Sequence, residues 1–246
     1  MRRAAALVAF ALVLVAVPAF AQEQPGFALP DGVTGQTSGL IVQLFGLLTV
    51  LAVAPGLLIM LTSFTRFVIV FSILRSGIGL QTTPANLILV SLALFMTFYV
   101  MAPVFDRAWT DGVQPLVNEE ITEQEAFPRI AGPFREFMLN NVRDQDLQLF
   151  AQLARERGRE VTVDENIDLR VVIPAFMISE IRRGFEIGFL VVLPFLVIDL
   201  VVATIVMAMG MMMLPPSVVS LPFKILFFVM IDGWNVLVGS MVRSVV

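Results

Sequence analysis

The sequence predicts an all-α integral membrane protein: about four hydrophobic helices, with a helical extramembrane segment between the second and third. Hydrophobic residues make up 58% of the 246-residue chain and charged residues 15%, against roughly 45–50% and 25% in soluble domains. Mean hydropathy is +0.89. The apolar residues also fall in continuous runs long enough to cross a bilayer, without the alternation of a membrane barrel strand.

Residues 1–21 read as a cleaved signal peptide. Arg2 and Arg3 form a basic start, Ala4 to Val17 an apolar stretch, and Ala19-Phe20-Ala21 a small-residue cleavage site. The apolar stretch, about 14 residues long, is short for a span of about 20, which favours cleavage over a retained anchor. Gln22 then opens the mature chain outside the cytoplasm. Residues 22–39, with Pro25, Gly26, Pro30, Gly32 and Gly35, read as a flexible periplasmic lead-in.

The first hydrophobic hairpin covers residues 40–103, with spans expected near 40–61 and 87–103. Between them Phe67–Leu74 is apolar but too short to cross, and reads as an extension of the first helix. Residues 62–86 carry Arg66 and Arg75 and no acid, which suits a cytoplasmic turn. The 104–186 segment has ten arginines, but it is too long for that rule to bind. With the start outside and two spans before it, this segment is expected on the periplasmic side.

Only the 104–186 segment has an ordinary soluble composition. Glu119, Glu120, Glu123 and Glu125 suit a solvated face. From Phe134 to Leu153 the apolar residues recur at helical spacing, which predicts one amphipathic helix ending near Gly158. A further helix is expected to start at Pro174 and run unbroken into the next span, kinked at Pro194. The second hydrophobic hairpin, 187–246, holds spans near 187–209 and 218–241 around a methionine-rich turn.

Absences narrow the chemistry. With no Cys and no His there is no thiol nucleophile, disulfide, histidine base or imidazole ligand. No catalytic, cofactor-binding or metal site is expected. A formal charge of −4 offers no polycationic face, so nucleic acid is not an expected partner. Asp199, Lys224 and Asp232 lie inside apolar spans, where ionisable groups are costly enough to be functional candidates. The two aspartates could form an intramembrane protease dyad, and Asp199 alone could relay protons in an ion-coupled transporter. Against both stands simple pairing with a neighbouring helix or subunit, or exposure to water. Ser63-Phe64-Thr65-Arg66 brings an arginine either to an inner interface or to the membrane surface. Met207 to Met213 includes five methionines, which can fill an irregular gap and refill it after displacement; a flexible lipid-facing turn is the bland alternative.

The stretches LTSFTRFVIVFSILRSGIGLQTTPANLILVSLALFMTFYVMAP (61–103) and IGFLVVLPFLVIDLVVATIVMAMGMMMLPPSVVSLPFKILFFVMIDGWNVL (187–237) resemble the flagellar biosynthetic protein FliP family. PF at 133–134, FML at 137–139, DL at 146–147, PAF at 174–176 and SE at 179–180 extend the resemblance from about residue 40 almost to the last residues. The resemblance implies a core component of a type III export gate in the bacterial inner membrane, at the flagellar basal body. Five copies would assemble with FliQ and FliR into a helical, ring-like channel that passes unfolded flagellar subunits, with FlhA and FlhB as further partners. It also implies that much of the assembled gate sits above the membrane plane. Met211, Met212 and Met213 would form the pore gasket, and Phe137, Phe150 and Glu180 would serve subunit packing. Relatives often carry a lysine and a small residue where this chain has Ile181-Arg182-Arg183-Gly184.

Overall fold

The computed structural model describes residues 35–159, 167–210 and 215–245. The signal peptide, residues 22–34 of the lead-in and Met211–Met213 lie outside the described residues, and residues 35–39, expected in the flexible lead-in, are helical. The chain divides into two compact units, residues 1–52 and 53–246. In the first, residues 35–52 are helical; they open α1 (Gly35–Leu61), whose last turns belong to the second unit.

The second unit is helical wherever it has regular structure among the described residues. It contains α2 (Phe64–Ile78), α3 (Asn86–Ala108) and a π-helical turn, Trp109–Val113. Next come α4 (Gln114–Val117), α5 (Glu123–Asn141), α6 (Asp144–Glu156), α7 (Leu169–Ala208), α8 (Pro216–Met230) and α9 (Gly233–Arg243). Two helical stretches, Asn86–Val117 and Leu169–Ala208, are long and apolar enough to cross a membrane, and up to four are if each bent helix pair forms one span. The all-α membrane class expected from the sequence is therefore the class observed.

Several helices break where a continuous one was expected. Phe67–Leu74 does not extend the first helix, because Thr62 and Ser63 interrupt it. The Thr62 hydroxyl donates to the Leu58 carbonyl (2.5 Å) and the Thr65 hydroxyl to Ile59 (3.2 Å), taking up carbonyls that a helix end leaves free. At its far end α2 stops at Gly79, whose φ of +95° is left-handed. The N–H of Gly79 bonds to the Ser76 carbonyl and that of Leu80 to Arg75, the paired closure that lets glycine terminate a helix.

The amphipathic helix expected over 134–153 is likewise two helices. α5 starts earlier, behind Thr122, whose backbone N–H and hydroxyl both donate to Glu125 (3.1 and 3.2 Å). These bonds, with Arg129 nearby, hold the exposed Glu125 carboxyl below its ordinary range. The chain then turns extended at Val142 and Arg143 before α6 begins with Asp144 and Asp146, acids that suit a helix N-terminus. α7 begins at Leu169 rather than Pro174. It is capped by Asp168, whose side chain accepts from the Arg170 N–H (2.9 Å), and it continues through Pro174 and Pro194. Its 40 residues make a rod of about 60 Å, twice the hydrocarbon thickness of a bilayer.

Two apolar clusters divide this rod. One gathers Phe67, Val70, Phe71 and Leu74 of α2 with Ala93 of α3, Phe195 of α7, Phe228 of α8 and Met241 of α9. The other gathers Met101 and Val104 of α3 with Phe137, Met138, Leu147 and Ala151 of α5–α6 and Val172, Ala175 and Phe176 of α7. α3 and α7 run through both, so they join the apolar hairpins to the more polar 104–186 segment.

Candidate functional site

α2 is the helix around which the unusual chemistry collects. It lies in register against α7: a Cβ built on Gly184 would meet Ile69 at 3.1 Å, one on Gly188 would meet Ile73 at 2.6 Å, and one on Gly77 would meet Val192 at 2.4 Å. Each step advances both helices by four residues, so they run in the same direction with a glycine under each branched side chain. This is the small-residue contact that lets membrane helices approach closely.

A charged pair is bonded at each end of that contact. At the start of α2, Arg66 and Glu180 are both fully buried. The guanidinium Nε donates to Glu180 Oε2 at 2.9 Å and Nη2 to Oε1, a two-pronged match of planar fork to carboxylate. Its Nη1 donates to the Ser244 carbonyl (2.6 Å) and hydroxyl (3.1 Å), so the one arginine ties α2, α7 and the turn after α9. At the end of α2, Lys224 of α8 donates from Nζ to Asp199 Oδ2 of α7 (2.5 Å) and to the Gly77 carbonyl (3.1 Å). The Ser220 hydroxyl, one helical turn before Lys224, donates to Asp199 Oδ1 (2.6 Å). Lys224 and Ser220 are buried, and about a third of the Asp199 side chain is exposed. An ammonium at the last carbonyls of a helix also sits favourably in the helix dipole.

Asp232 is placed elsewhere. It stands exposed at the break between α8 and α9, with φ of +51°, and accepts from the Asn235 side chain at 3.1 Å. The two helices bend by 64° there. Gly233 must follow, because a Cβ at that position would lie 2.3 Å from the Phe228 ring. Among the described residues no hydrogen bond joins Asp199 to Asp232. With Asp199 held by Lys224 and Ser220, the geometry is that of a structural ion pair and not of a dyad sharing one water.

Phe137 and Glu180, expected at a subunit interface, both make contacts within the chain. Phe137 is 9% exposed and packs edge-on against Phe176 with ring centres 5.8 Å apart. Glu180 has no exposed surface, and both its oxygens are bonded to Arg66. Phe150 is half-buried against the same cluster as Phe137. Of the two roles open to Arg66, the inner contact is the one observed. Sequence reasoning missed Ser179, which bridges two segments. Its hydroxyl accepts from the Arg143 N–H (3.1 Å) and donates to Asp146 Oδ2 (2.7 Å), fixing the α5–α6 break on α7.

The chain matches the profile of the FliP family over residues 47–241. It is 67% identical to the flagellar biosynthetic protein FliP of Rhizobium meliloti (strain 1021) over 240 residues, covering 96% of this chain and 98% of that protein. The chain belongs to the FliP family. The proteins of the same name from Agrobacterium fabrum and Caulobacter vibrioides are 66% and 48% identical, over 94% and 99% of this chain and 96% and 91% of theirs. The short FliP-like motifs meet in one place. Phe137 of FML packs on Phe176 of PAF, and Asp146 of DL is bonded to Ser179 of SE, whose neighbour Glu180 holds Arg66.

Proposed function

We propose that this FliP-family protein is a pore-forming component of the flagellar type III export gate in the bacterial inner membrane. It would pass unfolded flagellar subunits with FliQ and FliR as ring partners and FlhA and FlhB as neighbours. As a family member it is a flagellar biosynthesis protein of the export apparatus, and its apolar helices suit a membrane location. The observation that carries the finer reading is near full-length similarity to relatives named for flagellar biosynthesis. The charged pairs fit a structural component, since each is satisfied by its own chain. No enzymatic step is proposed.

In this reading Met211, Met212 and Met213 seal the resting pore. In the sequence they fall between the end of α7 and the Pro215-Pro216 start of α8, and Gly210, with φ of +72°, precedes them. A channel wide enough for an unfolded chain leaks ions when empty, and several copies of three flexible thioethers can fill it and then yield. Replacing all three with alanine is expected to raise the ionic conductance of bilayers holding the reconstituted gate, with export continuing. An assembled triple variant as tight as the parent would overturn the gasket. Deleting the gene and scoring flagellation tests the export role separately.

A further inference from the structure

A cavity of about 220 Å³ opens beside the end of α2. Phe71, Leu74 and Ile78 of α2 and Phe228 of α8 line it, each under 10% exposed, and Val229 and Trp234 form an exposed apolar rim. Its one charged lining residue is Arg75, in the last turn of α2. The guanidinium donates to the neutral Asn86 side chain at the start of α3. Among the described residues no carboxylate pairs with it, and the sequence has no acid from residue 40 to residue 105. Lys224, the other cation at this end of α2, spends its charge on Asp199, and Arg66 at the opposite end spends its charge on Glu180. An unneutralised arginine at a helix end, over an apolar groove in a membrane protein, is complementary to one kind of molecule: an anionic headgroup carrying an acyl chain.

We propose that this groove is a binding site for an anionic glycerophospholipid, with its phosphate on Arg75 and part of one acyl chain along Phe71, Leu74 and Phe228. The depth relation is right for this. Arg75 sits where α2 ends and the chain turns toward α3, a place where a span would meet the headgroups, and the apolar floor extends from it along both α2 and α8. Arginine is suited to the role because its fork binds phosphate in two-pronged fashion, while the apolar stem of the side chain lies along the groove. The inference needs only the membrane location of the chain and is independent of the export role.

Trp234 on the rim reports occupancy. The chain has two tryptophans, so Trp109→Phe leaves Trp234 alone. The full chain would be placed in mixed micelles with increasing fractions of phospholipid brominated on its acyl chains, and quenching of Trp234 followed. Brominated phosphatidylglycerol is expected to reach half-maximal quenching at about one fifth of the fraction that brominated phosphatidylcholine needs, the ratio one arginine gives near anionic lipid. Arg75→Gln should bring the two curves together while quenching itself persists, and Asn86→Ala, which keeps the charge, should leave them apart. Arg75→Lys retains a point charge for phosphate and should keep most of the difference, so it serves if the glutamine variant fails to fold. Coincident curves in the parent would mean general surrounding lipid, and selectivity surviving in Arg75→Gln would move the headgroup elsewhere. Absence of quenching by either lipid would mean that protein fills the groove. Each of these three results overturns the proposal.

Discussion

Arg66 and Glu180 are the residues on which the most depends. A buried charge is tolerated only with its partner in place, and losing one member of such a pair costs about 3–5 kcal/mol, since the other is left uncompensated. Arg66→Ala and Glu180→Ala are each expected to lower the midpoint of thermal unfolding in detergent sharply and to reduce the amount of protein in membranes. The double change Arg66→Met with Glu180→Leu should recover much of the loss, because packed apolar groups of similar volume often replace a buried pair at little cost. A double variant no better than the worse single one would show that the charges act beyond their mutual pairing. Ser244→Ala is the mild member of the series. It removes the 3.1 Å hydroxyl contact but leaves the 2.6 Å carbonyl bond, and should cost on the order of 1 kcal/mol. The sequence marked Arg66 and Glu180 separately but not as partners, because 114 positions separate them and nothing local to either residue points to the other.

Between elements, close approach of α2 and α7 depends on glycine at specific steps. Val192 is branched at Cβ and stiff, and two of its atoms would lie within 3 Å of a Cβ on Gly77. Gly77→Ala is therefore expected to force the helices apart at a cost of about 1–3 kcal/mol, and adding Val192→Ala should relieve it. Gly132, inside α5, has open space around its Cβ position, so Gly132→Ala should be neutral or stabilising by up to about 1 kcal/mol. Unfolding midpoints of the purified variants test both, and equal effects at the two glycines would sink the packing argument. The apolar runs of α3, α7 and α8 were legible because their composition is a local property. The breaks were not. The one at Val142–Arg143 is fixed by Ser179, 36 positions on, and the one at Asp232 by a left-handed aspartate where glycine would have been the local signal. The start of α7 was legible only in part: Asp168 is a good cap, but Pro174 drew the expectation five positions too far, since the apolar cluster around Val171 and Val172 extends the helix backwards.

For the molecule as a whole, the two apolar clusters sit at opposite ends of α3. The α2–α3 turn with Gln81 belongs to one end, and the α5–α6 layer, with Glu123 at its start, to the other. At about 35 Å for 23 residues, α3 can separate the two positions by a full hydrocarbon thickness, and both are exposed. If the start of the mature chain is outside and two spans precede the α5–α6 layer, that layer is periplasmic and the turn cytoplasmic. Arg75 agrees with that, since it is a basic residue in the last turn of α2, beside that short loop. The chain lacks cysteine, so single cysteines at Gln81 and Glu123 are clean probes. In cells without the partner proteins, an impermeant maleimide is expected to label Glu123→Cys once the outer membrane is opened, and Gln81→Cys only after the inner membrane is broken. The reverse pattern would invert the topology, and with it the side on which the acidic first turn of α5 meets solvent. Labelling of both positions from outside would place the whole α2–α3 hairpin above the bilayer before any assembly.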